Sequence, residues 1–147
     1  MNTKPKIAVI LSGCGVYDGS EIHESVLSLL EIESQGGEYQ CFAPDIVQHH
    51  VINHLSGEEM TEQRNVLTEA ARIARGNIKS LKELNVADFD ALFLPGGFGV
   101  AKNFTKWAFS GPDGDILTEI KTVARRFGVR SAMPMFKALR ACPEAVV

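Results

Sequence analysis

Cysteine is scarce in this 147-residue chain. The three that occur, Cys14, Cys41 and Cys142, are odd in number and have no CxxC spacing, which argues against a disulfide framework and a zinc ribbon. Free thiols in a reducing compartment are the simplest reading. Long apolar runs are missing too: stretches such as Ala91 to Leu94 fall far short of the ~20 residues a membrane span requires. Charge of one sign is nowhere concentrated. Fifteen Lys and Arg stand against 18 Asp and Glu, a net charge of −3, so the chain lacks the basic face of a nucleic-acid binder. Aromatic residues, 7% of the total, form no interfacial belt. The apolar stretch after Met1 to Lys6 is too short for a secretory signal, and the segment is too poor in Arg for a transit peptide. These absences lead to the expectation of a soluble, cytoplasmic protein with no nucleic-acid and no membrane partner.

What is present is an alternation of strand and helix patterns. Ile7 to Leu11 is a β-branched and aliphatic run ended by Ser12-Gly13, as in a strand buried on both faces of a parallel sheet. Ser20 is placed to cap a helix carrying Ile22, Val26, Leu29 and Leu30, with Glu21 and Glu24 in its first turn and Gly36-Gly37 as its stop. Tyr39 to Ala43 reads as a second strand and completes a βαβ unit. Ile46 to Glu59 reads as a polar excursion loop. Thr61 to Arg75 and then Ile78 to Leu84 read as helical, Ala91 to Leu94 as another buried strand, and Ile116 to Phe127 as an amphipathic helix. The pattern predicts an α/β three-layer sheet.

Ligands of open parallel sheets bind at the carboxyl ends of the strands, so chemistry is sought in the loops after Leu11, Phe42 and Leu94. The first, Gly13-x-Gly15-x-x-x-Gly19, is one residue away from a dinucleotide fingerprint, but Glu21 and Glu24 put negative charge where a phosphate would sit. A Glu in this first helical turn can instead serve as a general acid or base, or simply complement the helix dipole. Pro95-Gly96-Gly97-Phe98-Gly99 is compatible with backbone N–H groups aimed at a substrate oxygen, and equally with a plain turn. Cys14 is either a reactive thiol at the sheet edge or a small buried hydrophobe. His50 and His54 have the i, i+4 spacing of a metal pair, in a segment that does not read as helical. No metal site is expected. Arg64-Asn65 opens a helix and could reach the crevice.

Read in order, Ile10-Leu11-Ser12-Gly13-Cys14-Gly15-Val16-Tyr17-Asp18-Gly19-Ser20-Glu21-Ile22-His23-Glu24, Cys41-Phe42-Ala43-Pro44-Asp45, Val51-Ile52-Asn53-His54, Arg64-Asn65-Val66-Leu67, Ala71-Arg72-Ile73-Ala74-Arg75-Gly76 and Pro95-Gly96-Gly97-Phe98-Gly99 resemble one family. It is the enhancing lycopene biosynthesis (ElbB-like) family, in the ThiJ/PfpI branch of the class I glutamine amidotransferase-like superfamily. The resemblance implies a flavodoxin-like three-layer sandwich with a mainly parallel sheet, a homo-oligomeric, usually dimeric, state and no cofactor. It implies a glyoxalase-like lyase associated with isoprenoid biosynthesis, which converts 2-oxoaldehydes such as glyoxal and methylglyoxal to hydroxy acids. In the superfamily an elbow Cys attacks the aldehyde, a first-helix Glu holds or protonates it, and a Gly-Gly loop steadies the oxyanion. Glu24 matches the Glu, with Glu21 and Cys14 as auxiliaries, and Gly97 and Phe98 match the oxyanion loop.

The likeness stops near Phe127. The family continues into a Gly-Lys-Pro turn, an apolar strand and a Cys-Ile-Ala-Pro elbow, whereas this chain reads Gly128-Val129-Arg130-Ser131-Ala132-Met133-Pro134. Cys142 is followed by Pro143, and too little chain remains for the helix an elbow needs. The expectation is a partial domain over residues 1–127, lacking its C-terminal part and truncated or frame-shifted, with a divergent tail over residues 128–147. An inactive, self-associating binding module is then the rival to the enzyme.

Overall fold

A computed structural model describes residues 3–128 of the chain. Four parallel strands, β1 (Lys6–Ile10), β2 (Glu38–Ala43), β3 (Ile78–Ser80) and β4 (Ala91–Phe93), form one sheet in the order β3-β2-β1-β4. Around it lie four helices: α1 (Ile22–Ser34), α2 (Val66–Ala74), α3 (Trp107–Ser110) and α4 (Thr118–Arg126). The fold is the expected flavodoxin-type α/β sandwich.

Strand alternation builds the layers. Along β1, Ala8 and Ile10 point to the face where Phe42, Leu92, Phe104 and α4 residues Ile120 and Val123 gather. Val9, with Leu11 just beyond the strand, points to the other face, against Leu29 of α1, Cys41, and Val66 and Ala70 of α2. Both faces of the central strand are therefore dry, which is why its sequence is a continuous apolar run. Burying each of these aliphatic side chains is worth about 1.5–3 kcal/mol, and the two clusters hold the loops above them in place.

Three local expectations need correction. The cap of α1 is Glu21, whose side chain accepts from the Glu24 N–H, while Ser20 turns inward and accepts from the Ser12 N–H at 2.8 Å. α2 begins only at Val66, because the residues before it are extended and Asn65 bridges Val47 before capping the helix. Ile78 to Leu84 is not a helix. Its first part becomes β3, paired in parallel with Cys41 to Ala43, and Ser80 and Glu83 then form a capping box on a short 3₁₀ turn. Pairing with a waiting strand outweighs a weak helical pattern over so short a segment. The tail expected over residues 128–147 lies outside the described residues, apart from Gly128.

Candidate functional site

The strand order reverses beside β1: β2 continues the sheet on one side and β4 lies on the other. The crevice above that switch point is where an open parallel sheet binds ligands. Two glycine-rich loops meet there. Phe98 N–H donates to the Val16 carbonyl at 2.8 Å, Gly99 N–H to Gly19 at 2.9 Å, and Glu21 N–H to Gly96 at 2.8 Å. This backbone-on-backbone packing requires Gly97: its φ is +116°, and a Cβ would meet the Glu21 nitrogen at 2.6 Å. The Gly13 to Gly19 loop thus serves to receive the second loop. The helix end beyond it is already filled, because Glu24 N–H donates to Glu21 Oε2 at 2.6 Å.

Glu24 stands where the sequence placed it. Its Oε1 accepts the Gly96 N–H at 2.7 Å, which ties the first turn of α1 to the loop after β4. Glu21 lies beside it, and the Glu24 N–H bond holds its carboxyl below the usual carboxylate range. Both acids line a cavity of about 700 Å³ with Gly97, Phe98, Val16, Trp107 and Ile116. Phe98 as an oxyanion donor is corrected: its N–H is committed to Val16, and its exposed ring forms part of the wall instead. Among the described residues the Gly97 N–H takes part in no hydrogen bond.

Cys14 is brought to the carboxyl edge of β1 but does not line the cavity. Burial pushes its thiol up, and nearby Glu69 adds to the shift, with Arg72 opposing it. The small-hydrophobe reading fits that setting better than a reactive thiolate. The histidines disperse. His54 stacks on Tyr17 at 4.7 Å and accepts its backbone N–H, whereas His49 and His50 pack on Phe109. His23 is 91% exposed. Among the described residues no group of three or more His, Cys, Asp or Glu is arranged to hold a metal ion. Arg64 pairs with Glu62 and Glu69 away from the cavity, and Asn65 bonds to Asp45.

Sequence reading missed Asn103 and Asp18. Asn103 is buried on the wide π-type turn after Gly99; its Nδ2 donates to the carbonyls of Ser12 (2.8 Å) and Asp18 (3.2 Å), and its Oδ1 accepts the His49 N–H (2.9 Å). Asp18, also buried, accepts the Ile52 N–H at 2.7 Å. The two side chains join the loop after β1 to the excursion loop. For Asp18 the glycine-rich setting was a usable signal, but Asn103 has none in its flanking residues.

Comparison with known proteins gives two separate likenesses. The human glutamine amidotransferase-like class 1 domain-containing protein 3, mitochondrial, is 50% identical over 123 residues, covering 83% of this chain and 46% of that protein. The crystal structure of an isoprenoid biosynthesis protein with amidotransferase-like domain from Ehrlichia chaffeensis superposes with a TM-score of 0.79 at 46% identity, covering 83% of this chain and 58% of that one. The chain spans about half the length of the curated relatives it matches. These similarities support the class I glutamine amidotransferase-like superfamily. The second likeness is to another family: the impB/mucB/samB family model matches residues 97–147. DNA polymerase IV 1 of Mesorhizobium japonicum is 84% identical over 25 residues, covering 17% of this chain and 6% of the polymerase.

The cytoplasmic expectation is corrected by the first set. The human relative, the ES1 protein homolog of Rattus norvegicus and the ES1 protein of Danio rerio are all mitochondrial by name. The residues before β1 carry no compartment assignment against that finding. No helix among the described residues is long and apolar enough to cross a membrane.

Proposed function

With the class I glutamine amidotransferase-like superfamily as premise, we propose that this chain carries an ElbB-type oxoaldehyde site of the ThiJ/PfpI branch. The reaction is the glyoxalase-like conversion of a 2-oxoaldehyde and water to a 2-hydroxy acid. It is internally balanced: the aldehyde carbon is oxidised to a carboxyl, the adjacent ketone is reduced to an alcohol, and no external oxidant is needed. Glu24 moves the proton between the two carbons, and the Gly97 N–H steadies the oxygen that gains charge. The observation that carries this reading is the Glu24 to Gly96 hydrogen bond, which fixes the carboxylate at the rim of a cavity that Gly97 also lines. The name of the Ehrlichia chaffeensis structure supports a link to isoprenoid metabolism.

A second reading has its own support. No thiol among the described residues lines the cavity, and the elbow motif is absent from the sequence. The rival is a small-molecule-binding module without turnover, its amidotransferase-like part at residues 1–127 joined to a tail that belongs to the impB/mucB/samB likeness. Methylglyoxal consumption by the purified 147-residue protein, followed with hydroxy-acid formation, separates the two. Turnover lost in Glu24→Ala and kept in Cys14→Ser establishes the lyase. Absence of turnover beside an active full-length relative establishes the binding module.

A further inference from the structure

The open cleft above Glu24 and Gly97 has room for more than the smallest 2-oxoaldehydes. Methylglyoxal needs roughly 100 Å³, scaling from about 30 Å³ per water molecule, against a cavity of about 700 Å³. That volume belongs to an open cleft and lies in the ~300–1,000 Å³ range of ligand pockets.

The lining has a definite chemistry. Val16, Phe98, Trp107 and Ile116 supply apolar wall, and Glu21 and Glu24 supply its charges among the described residues. Glu21 has one oxygen on the Glu24 N–H and the other 4.0 Å from His23 Nδ1, whereas Glu24 has one oxygen on the Gly96 N–H and the other left to a ligand. No Lys, Arg or His among the described residues lines the cavity. Lys102 comes nearest in role, 5.6 Å from the centre of the Phe98 ring, but its ammonium donates to the Tyr17 carbonyl at 2.7 Å. A negatively charged ligand would meet two like charges with no counter-ion in the wall.

We infer that the cavity takes an uncharged carbonyl compound with an apolar chain of several carbons, and turns away the matching carboxylates. The chain lies along Trp107 and Ile116, and the carbonyl faces the Gly97 N–H. This inference rests on the reading of the Glu24 and Gly97 pocket as the site, and adds the ligand's size and charge. Trp107, the sole tryptophan of the sequence, reports on occupancy directly.

The test is titration of the full 147-residue protein with hexane-2,3-dione, 2-oxohexanoate and methylglyoxal, read by tryptophan fluorescence and by calorimetry. The dione is expected to saturate the fluorescence change, with 2-oxohexanoate about tenfold weaker or worse on charge repulsion and methylglyoxal weaker for want of apolar contact. Glu21→Gln and Glu24→Gln should each narrow the gap between dione and oxo acid. Trp107→Phe should remove the optical signal and keep the heat. Equal binding of dione and 2-oxohexanoate, or methylglyoxal binding as tight as the dione, overturns the inference. Preferential dione binding with no turnover of any probe removes the lyase and leaves this inference standing. Methylglyoxal turnover without a preference for the dione does the reverse.

Discussion

The Gly96 N–H donates to Glu24 Oε1 at 2.7 Å, across 72 positions of sequence. That one bond joins the first helix to the loop after the last described strand, and it makes the two neighbouring glycines unequal. A Cβ on Gly96 would lie 2.7 Å from Glu24 Oε2, the far end of a flexible side chain that can swing aside. Gly96→Ala should therefore cost only about 1 kcal/mol, while displacing the carboxylate and weakening ligand binding. A Cβ on Gly97 meets backbone, at a φ of +116°. Gly97→Ala should cost about 2–4 kcal/mol, and urea unfolding midpoints of the two variants measure the contrast.

Asn103 provides a second check on how the loops are held. Replacing it by Ala strands the His49 N–H and the carbonyls of Ser12 and Asp18 in a buried setting. The expected loss is about 2–4 kcal/mol. The Asn53 side chain makes one exposed hydrogen bond, accepting the Leu55 N–H, and Asn53→Ala should cost under about 1 kcal/mol. Equal midpoints for the two variants would remove Asn103 from this role.

The thiols should differ from ordinary cysteine in one direction. Burial raises Cys41 from 9.0 to about 11 and raises Cys14 as well. Iodoacetamide at pH 8, with mass spectrometry resolving each site, should leave native Cys41 unlabelled and modify Cys14 more slowly than in urea-unfolded protein. The same shift has a sign for stability. A group that holds its proton more tightly when folded gives its full contribution below 9.0 and loses it as pH rises through about 11. The unfolding midpoint should accordingly fall across that alkaline window, and less so in Cys41→Ala.

How much of this was legible beforehand follows from the physics of each element. Buried parallel strands announce themselves, because Ile7 to Leu11 and Ala91 to Leu94 must be apolar on both faces; their carboxyl ends then pointed to the crevice where the two glycine-rich loops meet. Glu24 and Gly97 were singled out by the family resemblance, since a helix first turn and a double glycine by themselves fit a plain structural role as well. Three features had no local signature. β3 exists only because Cys41 to Ala43 offers it a partner. The use of the Phe98 N–H depends on where the Val16 carbonyl lies. Asn103 draws its role from three loops that converge only after folding.

Self-association is the expected solution behaviour. Among the described residues β4 pairs with β1 alone, so its outer edge has no strand against it. α1 also exposes Val26, Leu27 and Leu30, the latter two at 63% and 60%. Open edges and apolar helix faces of this kind favour association. Light scattering after size exclusion should report dimers or larger species, and Leu27→Glu with Leu30→Lys should shift the population toward monomer. A wild-type protein that runs as a monomer and melts sharply would contradict this.

The polymerase likeness makes the last prediction, and it is a negative one. A match of 25 residues, 6% of a DNA polymerase IV, is far too little chain to bury a core or build a catalytic palm. The net charge of −3 also provides no field to hold a phosphate backbone. Fluorescence anisotropy with a labelled primer-template at low salt should show no binding in the micromolar range, and primer extension should be absent. Because residues 97–147 match the impB/mucB/samB family model in the present frame, the frame-shift explanation is also open to test. The nucleotide sequence should show a join between two coding segments, with no Cys-Ile-Ala-Pro elbow hidden in a second frame. Binding that weakens steeply with salt, or an elbow found out of frame, would overturn the corresponding half of this prediction.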